Sequence, residues 1–202
     1  MKIIGLTGGI ASGKSTVSRM FQSLGAVTCS ADEDARAVLA PGSPLLAAVL
    51  AAFPGARRPD GTLDRAKLGA HIFTDPAART RLEALLHPAI IARMTEAIAA
   101  ARNAGPGVLV YETPLLFEAG LAPLFDTVIA TLATPTLQRD RLQERERAAG
   151  RPPLTASGLA KRLAAQLPSD KKAHRAAHIV RTDLPLTETE AQVRRLWESM
   201  GH

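Results

Sequence analysis

Aromatic residues are scarce in this chain: five Phe, one Trp and one Tyr make up 3% of its 202 residues. That leaves too few rings for the stacking platforms with which proteins hold single-stranded nucleic acid. There is one cysteine, Cys29, which excludes an internal disulfide and fits a reducing compartment; it reads as a residue of a buried strand. The N-terminal apolar stretch is broken by glycines and Lys14, so no secretory signal is predicted and a cytoplasmic location is expected. The longest uninterrupted apolar run, Leu45 to Phe53, falls far short of the roughly 20 residues that span a bilayer, so no membrane partner is expected. A concentrated basic run is also missing, although the net charge is +6. A nucleic-acid partner and a basic pocket for a small polyanion would each explain that surplus, and composition does not choose between them.

Ala and Leu dominate what is present, which points to a helix-rich core of one or two domains. The most informative stretch is Gly8-Gly9-Ile10-Ala11-Ser12-Gly13-Lys14-Ser15, followed by Thr16, which matches G-x-x-x-x-G-K-[ST]. Before it, residues 2–7 read as a buried strand. After it, Val17, Met20, Phe21 and Leu24 recur at helical spacing until Gly25. Strand, glycine loop and helix is the arrangement in which backbone N–H groups and a helix N-terminus converge on phosphate oxygens. Gly8 and Gly13 let the backbone close on phosphates, Lys14 reaches the β- and γ-phosphates, and the Ser15 hydroxyl suits Mg²⁺. The pattern predicts a protein that binds a nucleoside triphosphate.

Further strands are predicted at residues 26–29, 108–111, 126–132 and 178–181. Helices are predicted at 45–53, 64–73, 76–86, 88–102, 135–148, 155–166 and from 170, and a last one starts at the capping box Thr187-x-x-Glu190. Val108–Tyr111 and the run up to Leu132 are apolar without alternation, as strands of a parallel sheet buried on both faces are. The fold class is therefore an open α/β sheet with helical insertions, and its ligands belong at the carboxyl ends of the strands.

Asp32 lies just past the second strand and reads either as a general base for an acceptor hydroxyl or as a helix N-cap. Glu112, at the end of the third strand, reads as a group holding Mg²⁺ or its water shell, or as a solvated strand end. Arg139, Arg141, Arg145 and Arg147 either face a transferring phosphoryl or pair with Asp140, Glu144 and Glu146 on a solvated helix. His87 before Pro88 reads as a helix-entry residue or a ligand. No Asp-x-x-Gly follows the third strand and no Asn-Lys-x-Asp occurs, which argues against a GTP-dependent switch.

Ile4 to Thr16 strongly resembles the start of the dephospho-coenzyme A kinases. Ala31-Asp32 with Ala35-Arg36, Pro41 to Pro44, Leu85 to Ile90, and Pro114-Leu115-Leu116-Phe117-Glu118 resemble further signatures of that family. Gln138 with Arg141 and Arg145, then Arg162, Gln166-Leu167-Pro168 and Lys172, continue the pattern to the end of the chain. The chain departs from the family at Ser30, Ala176-Ala177 and Thr182, where an Asp, an Ala-Asp pair and an Asn are common.

The resemblance implies a P-loop NTPase-type three-layer fold with a five-stranded parallel sheet. It divides the chain into a core of residues 1–31, 106–135 and 177–202, a helical acceptor subdomain at 32–105 and a lid at 136–176. It implies phosphorylation of the ribose 3′-hydroxyl of dephospho-coenzyme A by ATP with Mg²⁺. Asp32, Lys14 and Arg141 are then catalytic. Gly9, Ile10, Ala11, Ser12, Gly13, Lys14, Ser15, Thr16, Arg141 and Thr182 bind nucleotide. Thr7, Asp32, Arg36, His87, Pro114, Leu115 and Glu118 bind the acceptor, and Ser15 holds Mg²⁺ with Glu112 behind it. The expected partners are these small molecules and no nucleic acid, in a monomer or weak oligomer.

Overall fold

The structure, a computed structural model, describes residues 1–164 and 166–201. Among these, five strands form one sheet: β1 Lys2–Gly8, β2 Val27–Ser30, β3 Val108–Glu112, β4 Thr127–Leu132 and β5 His178–Arg181. Their order is β2-β3-β1-β4-β5 and every pairing is parallel. The helices are α1 Lys14–Ser23, α2 Ala31–Ala37, α3 Pro44–Ala52, α4 Arg65–Thr74, α5 Pro76–Asn103, α6 Pro135–Ala148, α7 Ala156–Ala164, α8 Ser169–Arg175 and α9 Leu186–Ser199. The five-stranded parallel sheet expected from the sequence is thus present.

The chain divides into two compact units, Met1–Ser30 with Ala100–His202, and Ala31–Ala99. In the first, β1 lies at the centre of the sheet, with Ile3, Ile4 and Leu6 fully buried. Val17 and Phe21 of α1 and Val193 of α9 join Ile4, Leu6, Val110, Ile129 and Val180 in one core, against which Met20, Leu24, Leu196, Trp197 and Met200 pack. The helical spacing in both segments therefore reports the face turned to the sheet. The second unit has its own core, including Leu39, Val49, Leu50, Phe53, Leu63, Leu68 and Leu82. Its helices start at side-chain caps: Ser43 accepts from the amide of Leu45, and Asp64 from those of Ala66 and Lys67.

Four local readings are corrected. The helices predicted on either side of His87-Pro88 are one helix, α5, with Pro88 inside it. Pro88 has no N–H for the carbonyl four residues earlier. Both Pro88 and Ala84 are exposed, which leaves that carbonyl to water, while buried Ala78, Leu82, Met94 and Ile98 hold the helix on both sides. His87 is therefore mid-helix and not at a helix entry. Cys29 is half-buried in the edge strand β2 and not in the core. No capping box closes α9, whose preceding residue is Pro185; the Pro185 carbonyl accepts from the amides of Glu188 and Thr189. Glu146 is a buried residue paired to arginines outside its own helix, as described below. An 18-residue stretch of helix α5 also has the length and mean hydropathy, 1.2, of a membrane span, with Arg93 and Glu96 in the helix's middle.

Asp126 ties the start of β1 to the end of α5. Its Oδ2 accepts the buried Ile3 amide at 2.8 Å, its own amide donates to the Ile3 carbonyl at 2.9 Å, and Oδ1 accepts from Arg102 at 3.1 Å. Asp126→Ala leaves the Ile3 amide unpaired in the core and is expected to cost about 1–2 kcal/mol, a fall of roughly 2–8 °C in Tm. A melting curve checks this; an unchanged Tm would show that water replaces the carboxylate.

Candidate active site

The glycine loop joins β1 to α1 at the carboxyl edge of the sheet, and each of its carbonyls from residue 8 to residue 13 meets a donor of the protein. Lys14 Nζ donates to Gly8 O at 3.2 Å and Gly9 O at 3.0 Å. Ser12 Oγ also donates to Gly9 O, at 2.7 Å. Gln138 Nε2 takes Ile10 O at 2.7 Å, Arg141 Nη1 takes Ala11 O at 3.4 Å, and Thr182 Oγ1 takes Ser12 O at 2.8 Å. Gly13 O accepts from the amides of Thr16 and Val17. A peptide's N–H points opposite to its C=O, so carbonyls drawn toward the protein turn amides of the loop to the open side, apart from that of Ser12, which donates to Gly9 O at 3.3 Å. This is an anion-binding concavity held in shape by the protein's own donors.

Two backbone positions sustain that shape. Ala11 has φ 56°, and among the described residues it alone has a positive φ without being glycine. Gly13 has φ 87°, and a Cβ there would stand 3.0 Å from Thr182 Cγ2. Glycine is thus needed at 13 because Thr182 presses from behind. Beneath the loop, Ser12, Thr131 and Thr7 are fully buried. Ser12 Oγ and Thr131 Oγ1 lie 2.6 Å apart, and Thr131 Oγ1 reaches Thr7 O at 3.3 Å.

On the exposed side, Ser15 Oγ donates to Glu112 Oε1 at 3.0 Å. Glu112 lies level with Leu6 of β1 and Ser30 of β2 in the sheet register. A hydroxyl and a carboxylate on neighbouring elements are hard oxygen donors, the kind Mg²⁺ takes while keeping part of its water shell.

The other expected site residues fall in two places. In the unit that holds the sheet, Thr7 Oγ1 faces the Pro114 carbonyl at 3.4 Å, Leu115 is half-buried, and Glu118 accepts the Leu167 amide at 2.9 Å. Thr182 is buried behind the glycine loop, where Arg141 Nη2 donates to its carbonyl at 2.6 Å and Arg141 Nη1 to its hydroxyl at 3.2 Å. Asp183, next in sequence, lines a largely apolar cleft of about 600 Å³ with Gly9, Pro135, Leu163 and Leu167. Arg181 holds the Asp183 carboxyl below the usual carboxylate range through two bonds of 3.1 and 3.0 Å. In the other unit, Asp32 and Arg36 are exposed and four residues apart on α2. Asp32 lies in the first turn of that helix, one residue inside its start, and Asp34 pairs with Arg93 of α5 at 2.9 Å. His87 is half-buried on α5.

Residues 136–176 hold ten of the 25 Lys and Arg residues and four of the 19 Asp and Glu residues, so this segment accounts for the whole net charge of +6. The surplus that composition could not place is therefore local, around α6 to α8. Inside it, Glu146 is 3% exposed and receives Arg151 at 2.7 Å and Arg162 at 2.6 Å. The hydrogen bond from Arg151 is the largest influence, and with that from Arg162 it outweighs burial and lowers the Glu146 pKa to about 2. Gln143 adds two bonds to Leu154, at 2.8 and 2.9 Å, so the 149–155 connection is fastened to α6 at two points. Arg145 and Arg147 are exposed.

Thr131, Gln138 and Ser169 were not among the expected site residues as donors or props of the loop. Gln138 stands in the family-like pattern, but nothing in the local sequence tells where its amide points.

Thr182→Val removes the donor to Ser12 O and is expected to raise the KM for ATP roughly tenfold, the effect of about 1.4 kcal/mol, with Thr182→Ser restoring it. Unchanged KM in the valine variant would contradict the bracing role. Glu146 makes a second prediction. Its folded pKa is depressed, so its stabilising contribution is complete above the ordinary value of 4.5 and is lost as the pH falls toward about 2. Tm measured against pH should lose this part of its acid dependence in Glu146→Gln; an identical profile would contradict it.

The sequence model of the family described as Dephospho-CoA kinase matches residues 2–188. A dephospho-CoA kinase of Anaeromyxobacter dehalogenans is 47% identical over 182 residues, covering 89% of this chain and 83% of its own length. Among solved structures, TT1252 of Thermus thermophilus superposes with a TM-score of 0.80 at 26% identity, over 98% of this chain and 97% of its own. The dephospho-CoA kinase of Campylobacter jejuni gives 0.70 at 26% identity, over 99% and 98%. With a family match over nearly the whole chain and the phosphate loop built as described, this chain belongs to the dephospho-CoA kinase family, kinases that use ATP in coenzyme A synthesis.

Proposed function

We propose that this protein transfers the γ-phosphoryl of ATP to the ribose 3′-hydroxyl of dephospho-coenzyme A in the cytoplasm, acting on these small molecules and on no nucleic acid or membrane. The observation that carries the phosphate end of this reading is the glycine loop with its carbonyls from residue 8 to residue 13 drawn to protein donors. Its amides then face the phosphates with the Lys14 ammonium as the donor that has to move, and fixed dipoles of this kind stabilise developing charge effectively.

Ser15 and Glu112 would hold Mg²⁺, directly or through its water, and their paired oxygens fit it. When bound, that ion would neutralise part of the charge on the phosphates. Lys14 turns from the loop carbonyls to the β- and γ-phosphates. Gly9 to Thr16 cradle the nucleotide, and its base occupies the apolar cleft beside Asp183, with Thr182 bracing the loop from behind. Arg141, whose Nη1 and Nη2 hold Ala11 O and Thr182, presents its remaining N–H donors to the phosphoryl group in flight, and the positive segment 136–176 acts as the lid that excludes water over it.

The helical unit holds the acceptor. Asp32, in the first turn of α2, accepts the proton of the attacking hydroxyl. Arg36, on the same helix face, and His87 meet the acceptor's polar groups. The Pro114–Glu118 loop contributes its apolar side. In this reading the protein works as a monomer or a weak oligomer.

The experiment is ADP release with Mg-ATP and dephospho-coenzyme A, set against AMP, adenosine and shikimate as acceptors. Release that requires dephospho-coenzyme A and yields coenzyme A is expected. Asp32→Asn should then lower kcat by roughly 10²–10⁴ with little change in ATP binding, as loss of a general base does. Release with another acceptor would overturn the substrate, and near-normal kcat in Asp32→Asn would return Asp32 to a structural role.

A further inference from the structure

Lys172 is a buried ammonium that the reaction does not use. Its side chain has no exposure, it donates to the Pro114 carbonyl, and it pairs with Glu118 Oε1 at 2.8 Å. The same Glu118 oxygen accepts the Leu167 amide at 2.9 Å. One turn further along α8, the Arg175 guanidinium lies over the Phe117 ring at 4.6 Å from its centre. Leu167, Lys172 and Arg175 thus grip the 114–118 loop at its first, fourth and fifth residues. At the start of the same helix, Ser169 Oγ accepts from Gln138 Nε2 at 2.8 Å, and that nitrogen also holds Ile10 O of the phosphate loop.

Burying an ammonium is expensive. Burial pushes the Lys172 pKa down, and only the Glu118 carboxylate opposes the shift. A methionine of similar length would fill the space without that cost, and replacing buried ion pairs by apolar groups is often neutral or stabilising. What an apolar side chain could not do is hold a carbonyl and a carboxylate four residues apart in one loop at fixed positions. The charge supplies geometry.

We infer that Lys172 is a positioning residue for the acceptor: it touches neither substrate, but fixes the Pro114–Glu118 loop in the shape that receives dephospho-coenzyme A. This rests on the reading above that the loop contacts the acceptor. The loop's side chains can be aimed only if both of its ends are pinned, and Lys172 pins both while α8 is anchored to the phosphate loop through Ser169.

The test is steady-state kinetics of Lys172→Met, Glu118→Gln, the double variant and Leu115→Ala, with Tm measured for each. Lys172→Met is expected to raise the KM for dephospho-coenzyme A about tenfold or more, with the KM for ATP and kcat changed by less than about threefold. Glu118→Gln keeps an acceptor for the Leu167 amide and is expected to act in the same direction, so the inference stays testable if the methionine variant does not fold. The double variant should be no worse than the more damaged single one, because the two residues act as a pair. Additive effects, an unchanged KM for dephospho-coenzyme A in both single variants, or a uniform loss of every parameter together with Tm would overturn the inference. Leu115 separates it from the reading beneath it. If Leu115→Ala raises that KM while Lys172→Met and Glu118→Gln do not, the loop binds the acceptor and Lys172 does not position it. If Leu115→Ala also has no effect, the loop reading and the inference fail together.

Discussion

A loop can offer a row of amide N–H groups to phosphate only if its carbonyls are held elsewhere. Here that requirement draws side chains from α1, α6 and the strand-end segment after β5 onto five consecutive carbonyls, and the amides of α1 onto a sixth. A free glycine loop would sample many shapes, since glycine is the residue least restricted in backbone angle. The cross-links remove that freedom when the chain folds and not when ATP binds, which shifts the entropic cost away from recognition.

The same bracing makes the site depend on distant elements. Thr182 follows β5, Gln138 and Arg141 lie on α6, and Thr131 is the last but one residue of β4, yet all converge behind residues 8–13. The parallel order β2-β3-β1-β4-β5 makes this possible, because β1 is central and the carboxyl ends of its neighbours flank the loop. Helix α8 extends the scheme from the phosphate loop to the 114–118 loop. The net positive surplus falls in residues 136–176, in the same unit of the chain as the phosphate loop, so composition and site describe one electrostatic design.

How much of this could be read from the sequence follows the range of the interactions. The glycine loop, β1 and α1 are one contiguous string, and their pattern specified both structure and chemistry. The apolar faces of α1 and α9 were legible because helical periodicity reports directly which side meets the sheet. Pro88 misled because a local breaker was outweighed by buried residues on both sides of it. Glu146 misled for the opposite reason: the arginines of its own helix are its immediate neighbours, 145 and 147, or five residues away at 141, and the chain folds back to bring Arg151 and Arg162 instead. Thr187 and Glu190 carried the letters of a capping box while Pro185 began the helix. Thr131 and Ser169 gave no signal, since each matters only through partners more than 30 residues away.

The claim on which the account turns is that the phosphate loop is complete before nucleotide arrives. Crystal structures of the protein with and without Mg-ATP test it most directly. The account predicts that backbone atoms of residues 8–15 superpose within about 1 Å, with the carbonyls of Ile10 and Ser12 still bonded to Gln138 and Thr182. A loop that is rearranged without ATP, its carbonyls turned inward and those bonds absent, would contradict it.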